Sequence, residues 1–130
     1  MQYVEMKILL EASLTNYWKT YRVWIVLFIL GNICDGASTV HFMLVDPTAE
    51  ELHPVIALVV WFLGPIAGPL LGILAKTLVG LGVAWYLHRF GRLGPTCLFL
   101  VGIVMSFWAA WYNVWGVNLY TPRFLTWLPL

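Results

Sequence analysis

The stretch Asn32–Pro54, NICDGASTVHFMLVDPTAEELHP, decides how this chain can fold. Its first half lies in a long apolar run that contains the carboxylate Asp35. Its second half is a polar turn that ends at Pro54. A carboxylate inside an apolar segment is costly unless another group pairs with it. The rest of the chain must therefore supply a partner for Asp35.

The composition is that of a membrane protein. Of the 130 residues, 62% are hydrophobic and only 10% are charged, whereas soluble domains average about 25% charged residues. The net charge is +1, and no basic run or patch indicates a nucleic-acid partner. We therefore predict a single all-α domain, residues 1–130, embedded in a membrane and in contact with its lipids.

The N-terminal third contains two different segments. Residues 1–20 mix apolar side chains with four charged ones, which predicts an amphipathic helix on the membrane surface or against a partner. Residues 21–44 are long and apolar enough to cross a hydrocarbon core of about 30 Å. In a helix, Asn32, Asp35 and Thr39 share one face of this first span.

The run from Pro54 to Arg89 is apolar almost throughout. It is too long for one span and too short for two, and Pro65 and Pro69 interrupt it. We predict a short re-entrant half-helix, residues 53–64, that enters and leaves on one side, and then a full span, residues 67–89. Broken helices are tolerated at membrane depth where protein or a water-filled cavity covers them.

Small residues recur at every fourth position of the second full span. Gly68, Gly72 and Gly80 predict a helix-packing seam, because glycines allow close approach of a neighbouring helix. Lys76 lies in the same seam. A last span, residues 95–118, carries a second seam of small and polar side chains. Its members are Gly102, Ser106, Ala109, Asn113 and Gly116.

Asp35 and Lys76 are predicted to meet. At a rise of 1.5 Å per residue, both lie about 15 Å from the outer ends of their spans. We predict a buried ion pair, with Asn32, Thr39 and Asn113 satisfying its remaining hydrogen-bonding groups. Such a pair fits either of two roles: it fixes helix register, or it handles protons or ions.

Two residues of the polar turn are further candidates. Glu51 and His53 are placed to form a lid over the ion pair or, with Asp35, to ligate a metal. No HExxH or GxSxG motif is present, so the signal for catalytic activity is weak. No cofactor is predicted, although a bound lipid is expected. Cys34 and Cys97 have no CxxC spacing and are predicted to be free, buried thiols.

The basic residues predict an orientation. Five of them fall on one side of the predicted topology, and Arg123 falls on the other. The N-terminus is therefore expected in the cytoplasm and the C-terminus outside a plasma (inner) membrane, with residues 119–130 as an interfacial tail. The five are Lys7, Lys19, Arg22, Arg89 and Arg92.

Several of these residues form one extended pattern. The pattern is Asn32-x-x-Asp35-x-x-x-Thr39, then Glu51-x-His53-Pro54, then Lys76 and Asn113. Over roughly residues 25–115 it resembles an uncharacterised prokaryotic family of small polytopic membrane proteins. That family usually has Asn at the position of His53. The resemblance implies a bacterial or archaeal membrane location and no known activity.

Three functions are compatible with these features. Our principal hypothesis is an accessory or structural subunit of a larger membrane complex, which would contact other membrane subunits. The second is a small homo-oligomeric transporter, or a proton- or ion-handling protein, that uses Asp35 and Lys76. The third is a membrane-embedded metal-dependent enzyme.

Overall fold

A computed structural model describes residues 1–45 and 54–116, and nearly all of these residues are helical. No β-strand occurs in these two ranges, so the all-α prediction is confirmed there. The elements are α1 (Gln2–Val45), α2 (Pro54–Leu87), a short 3-10 helix (His88–Phe90), α3 (Leu93–Trp111) and a π-helical turn (Tyr112–Gly116) that continues α3.

Three helical stretches are long and apolar enough to cross a membrane. They are Gln2–Leu44, Leu58–Phe90 and Leu93–Val114. Most of the large apolar side chains on their outward faces are exposed, and a bilayer is the solvent in which such a surface is favourable. The three helices are thus compatible with the predicted multi-pass membrane protein.

α1 is one unbroken helix of 44 residues, where the sequence analysis placed an interfacial helix before a separate span. No glycine or proline occurs from residue 2 to residue 30, so no helix-breaking residue divides the two segments. Residues 2–12 are all exposed, and Ser13 is the first side chain of α1 to bond another helix. These eleven residues extend about 16 Å beyond the rest of the bundle at a rise of 1.5 Å per residue.

Side-chain contacts set the directions of the three helices. Along α1, Tyr21 contacts Phe99 and Asn32 contacts Ser106, so α3 runs parallel to α1. α2 runs antiparallel to α1, because Tyr17 bonds Leu81 whereas Asp35, further along α1, bonds Lys76. α1 packs against both α2 and α3, which contact each other much less. Because α2 and α3 contact each other so little, a gap remains between them.

α2 bends sharply at Gly64, which adopts φ 85° and ψ 176°. That backbone conformation favours glycine, because a side chain is strained there. In a continuous helix Val60 and Gly68 would be about 12 Å apart, but a Cβ added to Gly68 would lie 2.5 Å from Val60 Cα. The short segment 54–63 therefore folds against the start of the long segment 65–87.

The apolar core lies toward the end of the bundle at which α2 finishes and α3 begins. It consists of aromatic and aliphatic side chains from all three helices: Tyr17, Tyr21, Ile25, Phe28, Ala84 and Phe99. Phe28 fits between Gly80 of α2 and Gly102 of α3. A Cβ on these glycines would lie 2.7 Å and 2.5 Å, respectively, from atoms of the Phe28 ring. Two positions of the small-residue seams thus make room for one phenyl ring of α1.

Candidate functional site

The centre of the site is an ion pair between α1 and α2. Lys76 Nζ lies 3.0 Å from Asp35 Oδ2 and donates a hydrogen bond to it. The two partners differ in their surroundings, since the Asp35 side chain is 11% exposed and the Lys76 side chain is 39% exposed. The predicted burial of the pair therefore holds for Asp35, whereas the Lys76 side chain is exposed.

Ser106 extends the pair to the third helix. Lys76 Nζ donates a second hydrogen bond to Ser106 Oγ at 3.4 Å, and Ser106 Oγ donates to Asn32 Oδ1 at 2.9 Å. Asn32 and Ser106 are fully buried. A single hydrogen-bonded chain, Asp35–Lys76–Ser106–Asn32, therefore crosses all three helices, and below it is called the polar layer.

Ser106 was predicted in a seam of α3 but not at the ion pair. The signal that identifies it is helical spacing, since Ser106 lies seven residues before Asn113 and on the same face. No role was predicted for Ser38, although that residue lies one turn after Asp35 and is buried like it.

Asn113 reaches the site indirectly. Its Nδ2 donates to Ser38 Oγ at 3.1 Å and to Thr39 Oγ1 at 3.0 Å. Both hydroxyls in turn donate to the backbone carbonyl of Asp35. Asn113 and Thr39 therefore fix the backbone that carries the carboxylate, and their bonds do not reach the carboxylate itself. Asn113 lies in the π-helical turn, a feature often found at functional sites.

One polar atom of the layer has no partner. Asn32 Nδ2 is buried and makes no hydrogen bond in the part of the chain that the structure describes. A buried donor left unpaired typically costs about 1–3 kcal/mol. The polar layer is therefore not fully satisfied.

The glycines of the predicted seam have separate roles. Gly68 lies against Val60 of the short segment, and Gly80 lies against Phe28. Gly72 is buried and lines the gap between α2 and α3. Two of the three seam glycines thus make close contacts within this chain.

The predicted lid and metal ligands cannot be placed. Glu51 and His53 lie outside the described residues. Within residues 1–45 and 54–116, no group of three His, Cys, Asp or Glu side chains is close enough to hold a metal. Cys34 and Cys97 are free, as predicted, but both are exposed; the prediction of buried thiols is wrong because both side chains lie on outward faces of the bundle.

A second polar cluster lies where α2 ends. Tyr21 Oη is 3.0 Å from His88 Nδ1, and Asn16 Nδ2 is 3.3 Å from His88 Nε2. An amide nitrogen can only donate, so Nε2 accepts and Nδ1–H donates to Tyr21. Tyr17 Oη donates to the backbone carbonyl of Leu81 at 3.1 Å. These bonds join α1 to the end of α2, and the sequence analysis did not predict them.

Comparison with known proteins finds no match among protein-family models, curated proteins or solved structures.

Proposed function

We propose that this chain is an integral membrane protein that serves as an accessory subunit of a larger membrane complex. The observation that carries the proposal is an apolar stripe on α1 that begins in the part extending beyond the other helices and ends at Leu14, next to the first interhelical bond at Ser13. Tyr3, Met6, Leu10 and Leu14 are three or four residues apart, so they share one helix face. All four are exposed.

The stripe continues the face of α1 that packs in the core. At the same spacing, Leu14 is followed by Tyr17 and Tyr21, which are buried against α2 and α3. The same face is thus covered by protein where the neighbouring helices are present and bare where they have ended. A helix from another subunit would cover the bare part as α2 and α3 cover the rest.

For the membrane arrangement we propose the topology expected from the sequence. The sharp bend at Gly64 supports a re-entrant half-helix for the short segment. Arg89 and Arg92 follow α2 at the end of the bundle from which α1 extends, which supports a cytoplasmic N-terminus of a plasma (inner) membrane protein. The stripe would then project into the cytoplasm.

This topology is testable by cysteine labelling. In a variant without Cys34 and Cys97, single cysteines at Glu50, Gly91 and Leu125 should react from the periplasmic side at the first and last positions only. Labelling of position 91 alone would contradict the topology.

Position-specific photo-crosslinking tests the function. A photoreactive residue at Leu10, within the stripe, should form an adduct with one membrane protein that also co-purifies at a fixed ratio in mild detergent. Ala12 comes two positions after Leu10 and lies on the opposite face of the helix. A photoreactive residue at Ala12 should therefore form no such adduct. Met6→Glu with Leu10→Glu should abolish co-purification and leave helical content unchanged.

Two results would overturn this function. One is purification of the chain as a homo-oligomer whose adducts from Leu10 contain only a second copy. The other is an equal yield of adducts from Leu10 and Ala12.

One observation supports a second candidate, a proton- or ion-handling protein. Lys76 is partly exposed beside an enclosed Asp35, and buried ion pairs of this type occur in proton relays. Proteoliposomes containing a pH-sensitive dye should then show a proton flux that Asp35→Asn with Lys76→Met abolishes. Equal flux through the double variant and the native chain would exclude this use of the pair.

A further inference from the structure

The gap between α2 and α3 forms a groove of about 1040 Å³. Its walls are apolar, with Val79 and Val83 from α2 and Val101 from α3, and all three side chains are exposed along its open side. Phe28 forms part of its floor, and Val59 of the short segment lines it as well. Ligand pockets usually measure about 300–1,000 Å³, so the groove has room for an elongated apolar molecule.

Lys76 is the only charged residue that lines this groove within the described part of the chain. Its ammonium group has three N–H donors. Two of them serve Asp35 Oδ2 and Ser106 Oγ, and no acceptor among the described residues takes the third. Lys76 lines the groove with a side chain that is 39% exposed, so an acceptor atom in the groove would lie beside this side chain.

The charge balance indicates which acceptor fits. Asp35 already neutralises the charge of Lys76 at 3.0 Å. An anion in the groove would lose its hydration and would also meet the field of the nearby carboxylate. A neutral carbonyl oxygen accepts the spare hydrogen bond without either cost.

The depth of Lys76 in the membrane further limits which lipids can place a carbonyl oxygen beside it. Lys76 lies twelve residues from Gly64 and twelve from His88, which places it about 18 Å along the helix from each end. The headgroup regions of a bilayer lie outside a hydrocarbon core about 30 Å thick, so a phospholipid cannot bring its ester groups to this level without burying its headgroup. A carbonyl on a wholly apolar lipid can reach it.

We propose that the groove binds a neutral quinone-type lipid. A ring carbonyl accepts the hydrogen bond from Lys76 Nζ, and the apolar tail follows the groove toward Cys97. Cys97 lies nine residues before Ser106, a distance of about 13 Å along α3, and it lines the groove. The inference rests on the proposed membrane location but not on the accessory-subunit role.

The two cysteines provide the test. Cys97 lines the groove, whereas Cys34 is exposed elsewhere on the bundle and does not line it. In lipid nanodiscs containing the purified full-length chain, decylubiquinone should slow alkylation of Cys97 by N-ethylmaleimide several-fold and leave Cys34 unchanged. Mass spectrometry measures both rates in one sample. Decylbenzene, which lacks a carbonyl, and decanoate, which is an anion, should protect Cys97 much less.

Variants connect the protection to Lys76. Lys76→Met should reduce the protection by decylubiquinone to the level given by decylbenzene. Because that variant leaves Asp35 unpaired and is open to misfolding, Asp35→Asn with Lys76→Met provides a second variant that lacks both charges and the donor. In this double variant too, decylubiquinone should protect Cys97 no better than decylbenzene does.

Three outcomes would overturn the inference. Equal protection by decylubiquinone and decylbenzene in the native chain would make the groove an apolar surface for acyl chains or for a partner helix. Stronger protection by decanoate would make it an anion site. Protection by decylubiquinone that persists in the double variant would show that Lys76 does not contribute to binding. Each uses the isolated chain, so none depends on the crosslinking that tests the accessory-subunit role.

Discussion

Two regions hold α1 to the other helices, and they do so by different means. The polar layer joins three helices through one ion pair and two further hydrogen bonds among Asp35, Lys76, Ser106 and Asn32. The aromatic end of the bundle joins the same helices through close packing, as in the contact of Tyr21 with Phe99 at 5.9 Å and of Phe28 with Phe99 at 5.6 Å.

The difference lies in how each region tolerates a lost partner. Packing contacts are many and individually weak, so truncation costs stability in proportion to the cavity that it leaves. An ion pair has one partner on each side, so removal of Lys76 leaves the enclosed Asp35 carboxylate without a counter-ion, whereas removal of Asp35 leaves a Lys76 side chain that is 39% exposed. We therefore expect substitutions at the aromatic end to add independently when they are far apart, and substitutions in the polar layer to be strongly coupled.

The largest effect at the aromatic end is expected from Phe99→Ala. Phe99 is fully buried, and replacing a buried phenylalanine with alanine typically costs about 3–5 kcal/mol. Unfolding of the purified chain by SDS in bicelles, followed by circular dichroism, measures the change. Leu100→Ala, at the exposed neighbouring position, is the control and should cost much less; equal losses would show that Phe99 is not part of a packed core.

A smaller effect is expected from Gly102→Ala. The added methyl group would meet the Phe28 ring at 2.5 Å, and overpacking of this kind typically costs about 1–3 kcal/mol. Gly82→Ala is the matched control, because nothing lies within 4 Å of a Cβ there and alanine is the better helix former by about 0.5–1 kcal/mol. The two substitutions should therefore have opposite signs in the same unfolding assay, and a stabilising Gly102→Ala would contradict the fit of Phe28.

The hydrogen bond between Tyr21 and His88 should contribute less to the free energy of unfolding than the packing of Phe99 and Phe28 does. Tyr21→Phe removes one bond of 3.0 Å and keeps the ring packing, so a loss of about 1 kcal/mol is expected. Tyr86→Phe, at an exposed tyrosine of α2, should be neutral. No difference between the two variants would mean that the His88 cluster does not stabilise the junction of α1 and α2.

The smallest effect is expected in the polar layer itself, at Asn32. Asn32→Leu removes the unpaired donor Nδ2 along with the acceptor used by Ser106, and Ser106 can donate instead to a backbone carbonyl of its own helix. The stability gained by removing the unpaired donor and the stability lost with the Ser106 bond should nearly cancel, to within about 1 kcal/mol. A loss as large as that of Phe99→Ala would show that Asn32 is fully satisfied in the folded chain.

The sequence predicted the helices and the meeting of Asp35 with Lys76 for a physical reason. A charged residue in an apolar run demands a partner, and helical spacing and depth then select one. The bend near Gly64 was predictable because Gly64-Pro65 interrupts a run of the wrong length. These inferences use the strongest local signals in the chain.

The rest could not be predicted because its signals depend on the packed structure. His88 looks like an ordinary residue at a helix end, and only the register of α1 against α2 brings it to Tyr21 and Asn16. The continuity of α1 is a similar case, since charged residues within 1–20 suggested a change of environment while no residue there breaks a helix. The groove is not specified without the positions of all three helices, and helical spacing alone gives the face of Ser106 but not its contact with Lys76.

The central claim is that Asp35 and Lys76 act as one unit that joins α1 to α2. A double-mutant cycle of Asp35→Asn and Lys76→Met, measured as free energies of unfolding in bicelles, tests it most directly. Breaking a fully buried pair typically costs about 3–5 kcal/mol; Lys76→Met, which leaves the enclosed Asp35 unpaired, should approach that loss, and Asp35→Asn should cost less because the Lys76 side chain is 39% exposed. The double variant should recover much of the loss caused by Lys76→Met, which gives a strongly non-additive cycle. Additive effects, or two neutral single variants, would contradict the claim.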